Sequence, residues 1–102
     1  MYIVHSTFEI PKEEKVDEVI NIYKNRSRLV DTAEGFRDFK LLQNKKRPTA
    51  LTVQITWETK EHYMNWVTSE QFKKIHELEK NYPDQELAQV IPKVEQFEVV
   101  AL

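Results

Sequence analysis

Apolar and polar residues recur along this chain in blocks, and the period of each block names an element. Tyr2, Val4, Ser6, Phe8 and Ile10 alternate with Ile3, His5, Thr7 and Glu9. That period of two predicts a strand over residues 2–10, stopped by Pro11. Val16, Val19, Ile20, Tyr23 and Val30 recur at helical spacing with Lys and Glu between them, which predicts an amphipathic helix over residues 12–30. Glu13 and Glu14 near its start suit the positive end of the helix dipole. A polar stretch, Asp31 to Glu34, leads to Gly35, the predicted turn. Phe36 to Gln43 reads as a second strand and Asn44-Lys45-Lys46-Arg47-Pro48 as a charged turn. Thr49 to Trp57 is the clearest strand: Leu51, Val53, Ile55 and Trp57 alternate with Ala50, Thr52, Gln54 and Thr56. The short connection makes the last two strands an antiparallel hairpin.

Thr59 is the predicted N-cap of a helix over Lys60 to Val67. Thr68 followed three residues later by Gln71 fits a capping box, opening a second helix from about Ser69 to Lys80. Residues 81–91 read as a loop, with a turn of helix at Gln85 to Gln89. Pro92 precedes a last strand, Val94 to Ala101. The order strand–helix–strand–strand–helix–strand is that of the ferredoxin-like split βαβ unit, an α+β fold with an antiparallel sheet. Helices cover one face of such a sheet. The other face must be solvated or covered by a second subunit.

The 102 residues make one domain, 1–102, with a modest core that buries roughly 60–65% of the unfolded surface. Fifteen Lys and Arg stand against 17 Asp and Glu, a formal charge of −2, so no basic patch points to nucleic acid. The absence of cysteine removes disulfides, thiolate catalysis, iron–sulfur clusters and thiolate zinc sites. The single glycine, Gly35, excludes a glycine-rich phosphate loop. No apolar run is long enough to span a membrane, and Met1-Tyr2-Ile3-Val4-His5 has no basic leader region. The mature protein is therefore expected to begin at Met1 and to reside in the cytoplasm.

Few residues remain that could carry chemistry. His76 follows Phe72 by four residues and Ile75 by one, which places it on or beside an apolar stripe. It is either a core histidine bonded to backbone or an axial ligand of heme iron, a usual role of neutral imidazole. His5 belongs to the opposite sheet face and His62 to a helix surface. The three histidines share no metal-ligand spacing. Trp57 and Trp66 are large enough to serve the core alone. Ser6 is the only polar residue among the inward positions of the first strand. Its hydroxyl is either satisfied by a backbone carbonyl or aimed into a pocket between sheet and helices. Lys45, Lys46 and Arg47 form a solvated hairpin tip, and Glu13-Glu14 is helix surface. Nothing completes a Ser-His-Asp set around Ser6 and His76.

A combination of short motifs adds to this reading. Glu34-Gly35-Phe36 is followed by Trp57-Glu58-Thr59-Lys60-Glu61 and then by Trp66, Ser69, Phe72 and His76. With these, the stretch from Gly35 to Glu77 resembles the antibiotic biosynthesis monooxygenase (ABM) superfamily, and within it the IsdG-type heme-degrading monooxygenases. The resemblance implies a homodimer in which two ferredoxin-like sheets pack face to face as a dimeric α+β barrel, covering the Ala50, Thr52, Gln54, Thr56 face. It implies heme as substrate and oxygen-activating cofactor, O2, and an external electron donor such as a reductase. It makes His76 the axial ligand of the heme iron and Trp66 the residue that crowds the porphyrin out of plane. The third catalytic position of such enzymes, an asparagine, falls on Ser6. A hydroxyl is shorter than a carboxamide and donates only one hydrogen bond. Phe72, Phe8, Val53 and Ile75 become candidate walls of the heme pocket. Two alternatives accompany this expectation: a cofactor-independent monooxygenase of a quinol or polyketide-like aromatic, and a heme-binding dimer without turnover.

Overall fold

The computed structural model of the protein describes residues 1–80 and 90–102. The side chains of residues 76 and 78–80, and the predicted loop and helical turn over residues 81–89, lie outside the described residues. Four strands, β1 (Tyr2–Glu9), β2 (Phe36–Gln43), β3 (Ala50–Trp57) and β4 (Lys93–Glu98), form one sheet in the order β2-β3-β1-β4. Every neighbouring pair is antiparallel. Helix α1 (Val16–Lys24) connects β1 to β2, and α2 (Lys60–Val67) and α3 (Glu70–Lys80) follow β3. This is the predicted α+β, ferredoxin-like split βαβ.

Register sorts the side chains into two faces, because directly paired residues of an antiparallel sheet point the same way. Tyr2, Val4, Ser6, Phe8 and Ile10 face the helices, with Trp57, Ile55, Val53 and Leu51 beside them on β3. The core divides into two clusters along this face. The first holds Tyr2, Val4, Val30, Trp57 and Trp66. The second, under α1, holds Ile10, Val16, Val19 and Leu51. The opposite face carries His5, Thr7, Thr52 and Gln54, and they satisfy one another across the β1–β3 pair. His5 Nε2 lies 3.0 Å from Gln54 Oε1, and the Thr7 and Thr52 hydroxyls lie 3.0 Å apart. The edge of the His5 ring meets the Phe97 ring at 5.0 Å.

Three expectations need correction. The helix predicted over residues 12–30 is a 3-10 turn at Glu13–Lys15, an α-helix only over Val16–Lys24, and a second 3-10 turn at Leu29–Thr32. Between the last two, Asn25 caps α1 by donating Nδ2–H to Asn21 O at 2.9 Å, and Arg28 takes a left-handed conformation at φ 60°. Asn25 and Ser27 favour caps over helix interiors. Val30 is buried in the first cluster, whereas Val16 and Val19 belong to the second. One straight helix does not serve both clusters, and tertiary burial overrides the period. The last strand is Lys93–Glu98, not Val94 to Ala101. Its pairing with β1 ends at Tyr2↔Glu98, with one more backbone bond from Val99 N to Met1 O at 2.9 Å.

The third correction concerns the cap of α3. Thr68 does not fill that place: its hydroxyl donates back to Met64 O and Asn65 O. The cap is Ser69, whose Oγ accepts from Phe72 N at 3.2 Å. Thr59 caps α2 as expected, accepting from His62 N at 3.2 Å. Gly35 has φ +82°, a conformation that glycine adopts without strain, and the His62 ring packs against it. His62 lies half-buried at the sheet end of α2.

Candidate active site

The helix-facing side of β1 changes character once. Tyr2 and Val4 lie in the first cluster, Phe8 and Ile10 in the second, and Ser6 stands between them as a half-buried hydroxyl. Its cross-strand neighbours are Val53, buried, on β3 and Val94, half exposed, on β4. Among the described residues the Ser6 hydroxyl has no hydrogen-bond partner, so the reading in which a backbone carbonyl satisfies it does not hold there.

Trp66 is buried at the end of α2, with its ring centroid 6.4 Å from Trp57. Phe72, one turn into α3, meets Trp66 edge-on at 6.0 Å and 77°. Ser69 fixes this geometry. Its hydroxyl donates to Trp66 O at 2.6 Å while its oxygen accepts from Phe72 N, so one side chain joins the last turn of α2 to the first of α3. Ile75 packs on the same cluster. The fold thus brings Trp66, Phe72 and Ile75 together on one side of Ser6. It places Phe8 on the other side, stacked on Tyr23 at 6.0 Å. His76 belongs to α3, and its side chain lies outside the described residues.

The periodicity did not reveal an aromatic row behind the site. Trp57 is fully buried and touches Phe36, Tyr63 and Trp66 at ring-centroid distances of 6.1, 6.3 and 6.4 Å. Tyr63 in turn lies 5.9 Å from Tyr2, whose hydroxyl donates to Gln96 Oε1 on β4. The indole Nε1–H of Trp57 is buried and has no hydrogen-bond acceptor among the described residues. Burial raises the Tyr63 phenol above its ordinary range, and the nearby Tyr2 adds to the shift. The signal available in the sequence was the aromatic count in one short stretch, Trp57, Tyr63 and Trp66. Their mutual contacts depend on how α2 folds back on β3. No group of three His, Cys, Asp or Glu among the described residues is arranged to hold a metal ion.

The family profile described as antibiotic biosynthesis monooxygenase matches residues 1–78, which take in the sheet positions of β1 to β3 and nearly all of the site. The chain belongs to the antibiotic biosynthesis monooxygenase family. Members of the ABM family are monooxygenases, oxidoreductases that insert oxygen from O2. No curated protein matches the chain. Solved ABM-fold structures align over nearly its whole length. The heme-degrader MhuD from Mycobacterium tuberculosis, solved with two hemes bound in its active site, is similar at 21% identity and TM-score 0.78, covering 99% of this chain and 97% of that one. A Bacillus cereus protein described as an antibiotic biosynthesis monooxygenase is 25% identical at TM-score 0.74, covering 99% and 92%. SnoaB, a cofactor-independent oxygenase from Streptomyces nogalater, has TM-score 0.74 at 10% identity, covering 99% and 94%. The ABM fold therefore spans both heme-degrading and cofactor-independent oxygenases. No helix among the described residues is long and apolar enough to cross a membrane.

Proposed function

We propose that this ABM monooxygenase degrades heme, binding it between the sheet and helices α2 and α3 and opening the porphyrin with O2 and electrons from an external donor. The observation that carries this reading is the Ser6 hydroxyl, unpartnered among the described residues, set in the seam between two apolar clusters and facing the helices that bear Trp66 and His76. A porphyrin needs apolar and aromatic walls with few polar atoms, and Val53, Phe8, Phe72 and Ile75 offer such walls around one hydroxyl. Heme brings the iron that activates O2. The chain's share would be to bind and orient the ring: His76 would hold the iron, Trp66 would border the porphyrin, and Ser6 would offer one hydrogen-bond donor.

Two copies would pair through their open sheet faces. Phe97 and Leu42 are 42% and 39% exposed there. The polar residues between them already satisfy one another, so covering them leaves few unmade hydrogen bonds. Ser6, at the position where the resemblance to heme-degrading enzymes implies an asparagine, favours a second reading, oxygenation of a quinol or polyketide-like aromatic without cofactor.

Hemin titration followed by ascorbate in air tests the reading. A Soret band that shifts on binding and then bleaches is the expected result. A shifted but stable band makes the chain a heme-binding protein without turnover. No shift, with His76→Ala behaving as the parent protein, excludes heme and leaves the cofactor-independent reading. Light scattering after size exclusion, with Phe97→Glu as the interface variant, tests the dimer: a parent protein of monomer mass rejects it.

A further inference from the structure

Trp66, Trp57 and Tyr63 form a row of oxidisable rings that leads away from the site. The steps are 6.4 and 6.3 Å between ring centroids. Indole and phenol are the two side chains from which a strong oxidant most readily takes a single electron. Steps of this length between aromatic rings favour fast electron exchange. The exposure changes along the row in a useful order. Trp66 is 8% exposed, Trp57 is fully buried, and Tyr63 is half exposed.

We infer that this row is an electron relay that drains stray oxidising equivalents from the oxygen-handling site to the protein surface. The inference rests on the proposed site insofar as it takes Trp66 to border the oxidising centre. A one-electron oxidant formed there from O2 or peroxide takes one electron from Trp66 and is reduced by one. Trp57 refills Trp66, and Tyr63 refills Trp57. Tyr63 then gives its phenolic proton to solvent, and the phenoxyl radical regains one electron and one proton from a thiol or ascorbate in solution. The orphaned Nε1–H of Trp57 has a role in this scheme. With no acceptor among the described residues, the Trp57 radical cation keeps its proton and is not trapped as a neutral radical, so the charge passes on. Tyr63 rests as the neutral phenol, since burial opposes its ionisation. Tyr2, the cross-strand neighbour of Trp57, has a ring contact among the described residues only with Tyr63, at 5.9 Å. Tyr23 lies against Phe8 and Phe39, off the path.

Pulse radiolysis of the full chain with azide radicals, which oxidise indole in preference to neutral phenol, tests the relay. In the parent protein the indolyl absorption should decay in a first-order process, independent of protein concentration. The phenoxyl absorption should rise at the same rate. Tyr63→Phe keeps the ring and should lose that rise. Trp57→Phe should lose it as well, and Tyr23→Phe should keep it. A rise that survives in Tyr63→Phe, or an indolyl decay that is second order in protein, overturns the inference. If Trp57→Phe does not fold, Tyr63→Phe decides alone. No heme is needed for this measurement. A protein that fails to bind hemin can still pass it, and one that bleaches hemin can still fail it.

Discussion

The Ser69 hydroxyl donates to the Trp66 carbonyl at 2.6 Å, so the residue that starts α3 also holds the end of α2 that carries Trp66. The same oxygen accepts from Phe72 N and caps the new helix. Ser69→Ala removes both bonds. The expected cost is about 1–2 kcal/mol, the sum of a lost cap and a part-buried hydrogen bond. Ser69→Asp keeps the cap but not the donor and should fall between. Urea unfolding of the three proteins checks the order, and equal midpoints for parent protein and Ser69→Ala would refute it.

Gly35 and His62 impose a second constraint. A Cβ at position 35 would lie 2.2 Å from His62 Cγ and 2.5 Å from His62 Cβ, and φ there is +82°. Gly35→Ala should cost on the order of 2–4 kcal/mol, from left-handed strain together with overpacking. His62→Gly in the Gly35→Ala background, which removes the His62 Cβ as well as the ring, should restore the overpacking part and leave the backbone part. A double-mutant cycle reads the difference as a coupling energy. Additive effects would show that the His62 side chain does not meet the glycine.

Arg26 holds the break that separates α1 from the 3-10 turn carrying Val30. Its guanidinium pairs with both oxygens of Asp31, at 2.8 and 3.2 Å, and its Cζ lies 3.8 Å over the Phe39 ring. A lysine reproduces neither the fork nor the stack. Arg26→Lys is expected to cost about 1–2 kcal/mol, close to the effect of Arg26→Met, because a part-buried pair and a stacked cation are lost together. Thermal unfolding of both variants measures this, and a Lys variant as stable as the parent protein would count against the role.

Ser6 offers a test of function in the same place as a test of structure. If its hydroxyl serves as the short donor to the oxygen side of heme, Ser6→Asn should speed ascorbate-driven bleaching of bound hemin, and Ser6→Ala should slow it. Initial bleaching rates at matched hemin occupancy give the answer. An unchanged or slower rate in Ser6→Asn removes the donor role.

Glu9 carries a modest pH dependence. The Thr49 hydroxyl donates to it at 2.8 Å, and Arg47 adds a bond and a charge, which together hold its carboxyl below the ordinary range. A carboxyl with a lower pKa folded than unfolded contributes stability above the unfolded value and loses it as pH falls through the folded one. Thr49→Val should therefore lower stability at neutral pH slightly and flatten the acid limb of the stability profile. Denaturant midpoints measured from neutral to strongly acidic pH show whether the two curves converge in acid, as this account requires.

Much of this was legible in local pattern. The alternation in β1 and β3 named their inward residues because a strand's side chains have a fixed period, and Trp57, inward by that count, is fully buried. Thr59 was recognisable as a cap because its bond to His62 N spans three residues. Thr68 and Ser69 were not separable, since both hydroxyls suit a cap and the choice depends on which one the end of α2 engages. Val30 misled for a similar reason. Its spacing fits α1, but its burial lies with Trp57 and Trp66, and Arg26 turns the chain toward them.

The sequence by itself determined the element order, the two faces of the sheet and, through the Trp57–Trp66–Ser69–Phe72 spacing, the family. These are properties of residues close in the chain or of a period along it. Only the tertiary structure decided that Ser6 stands in the seam between two clusters, that Ser69 ties two helices, and that Trp66, Trp57 and Tyr63 line up ring to ring. Each of these relations depends on where a helix docks on the sheet, and docking is set by burial summed over many residues, which no local pattern contains.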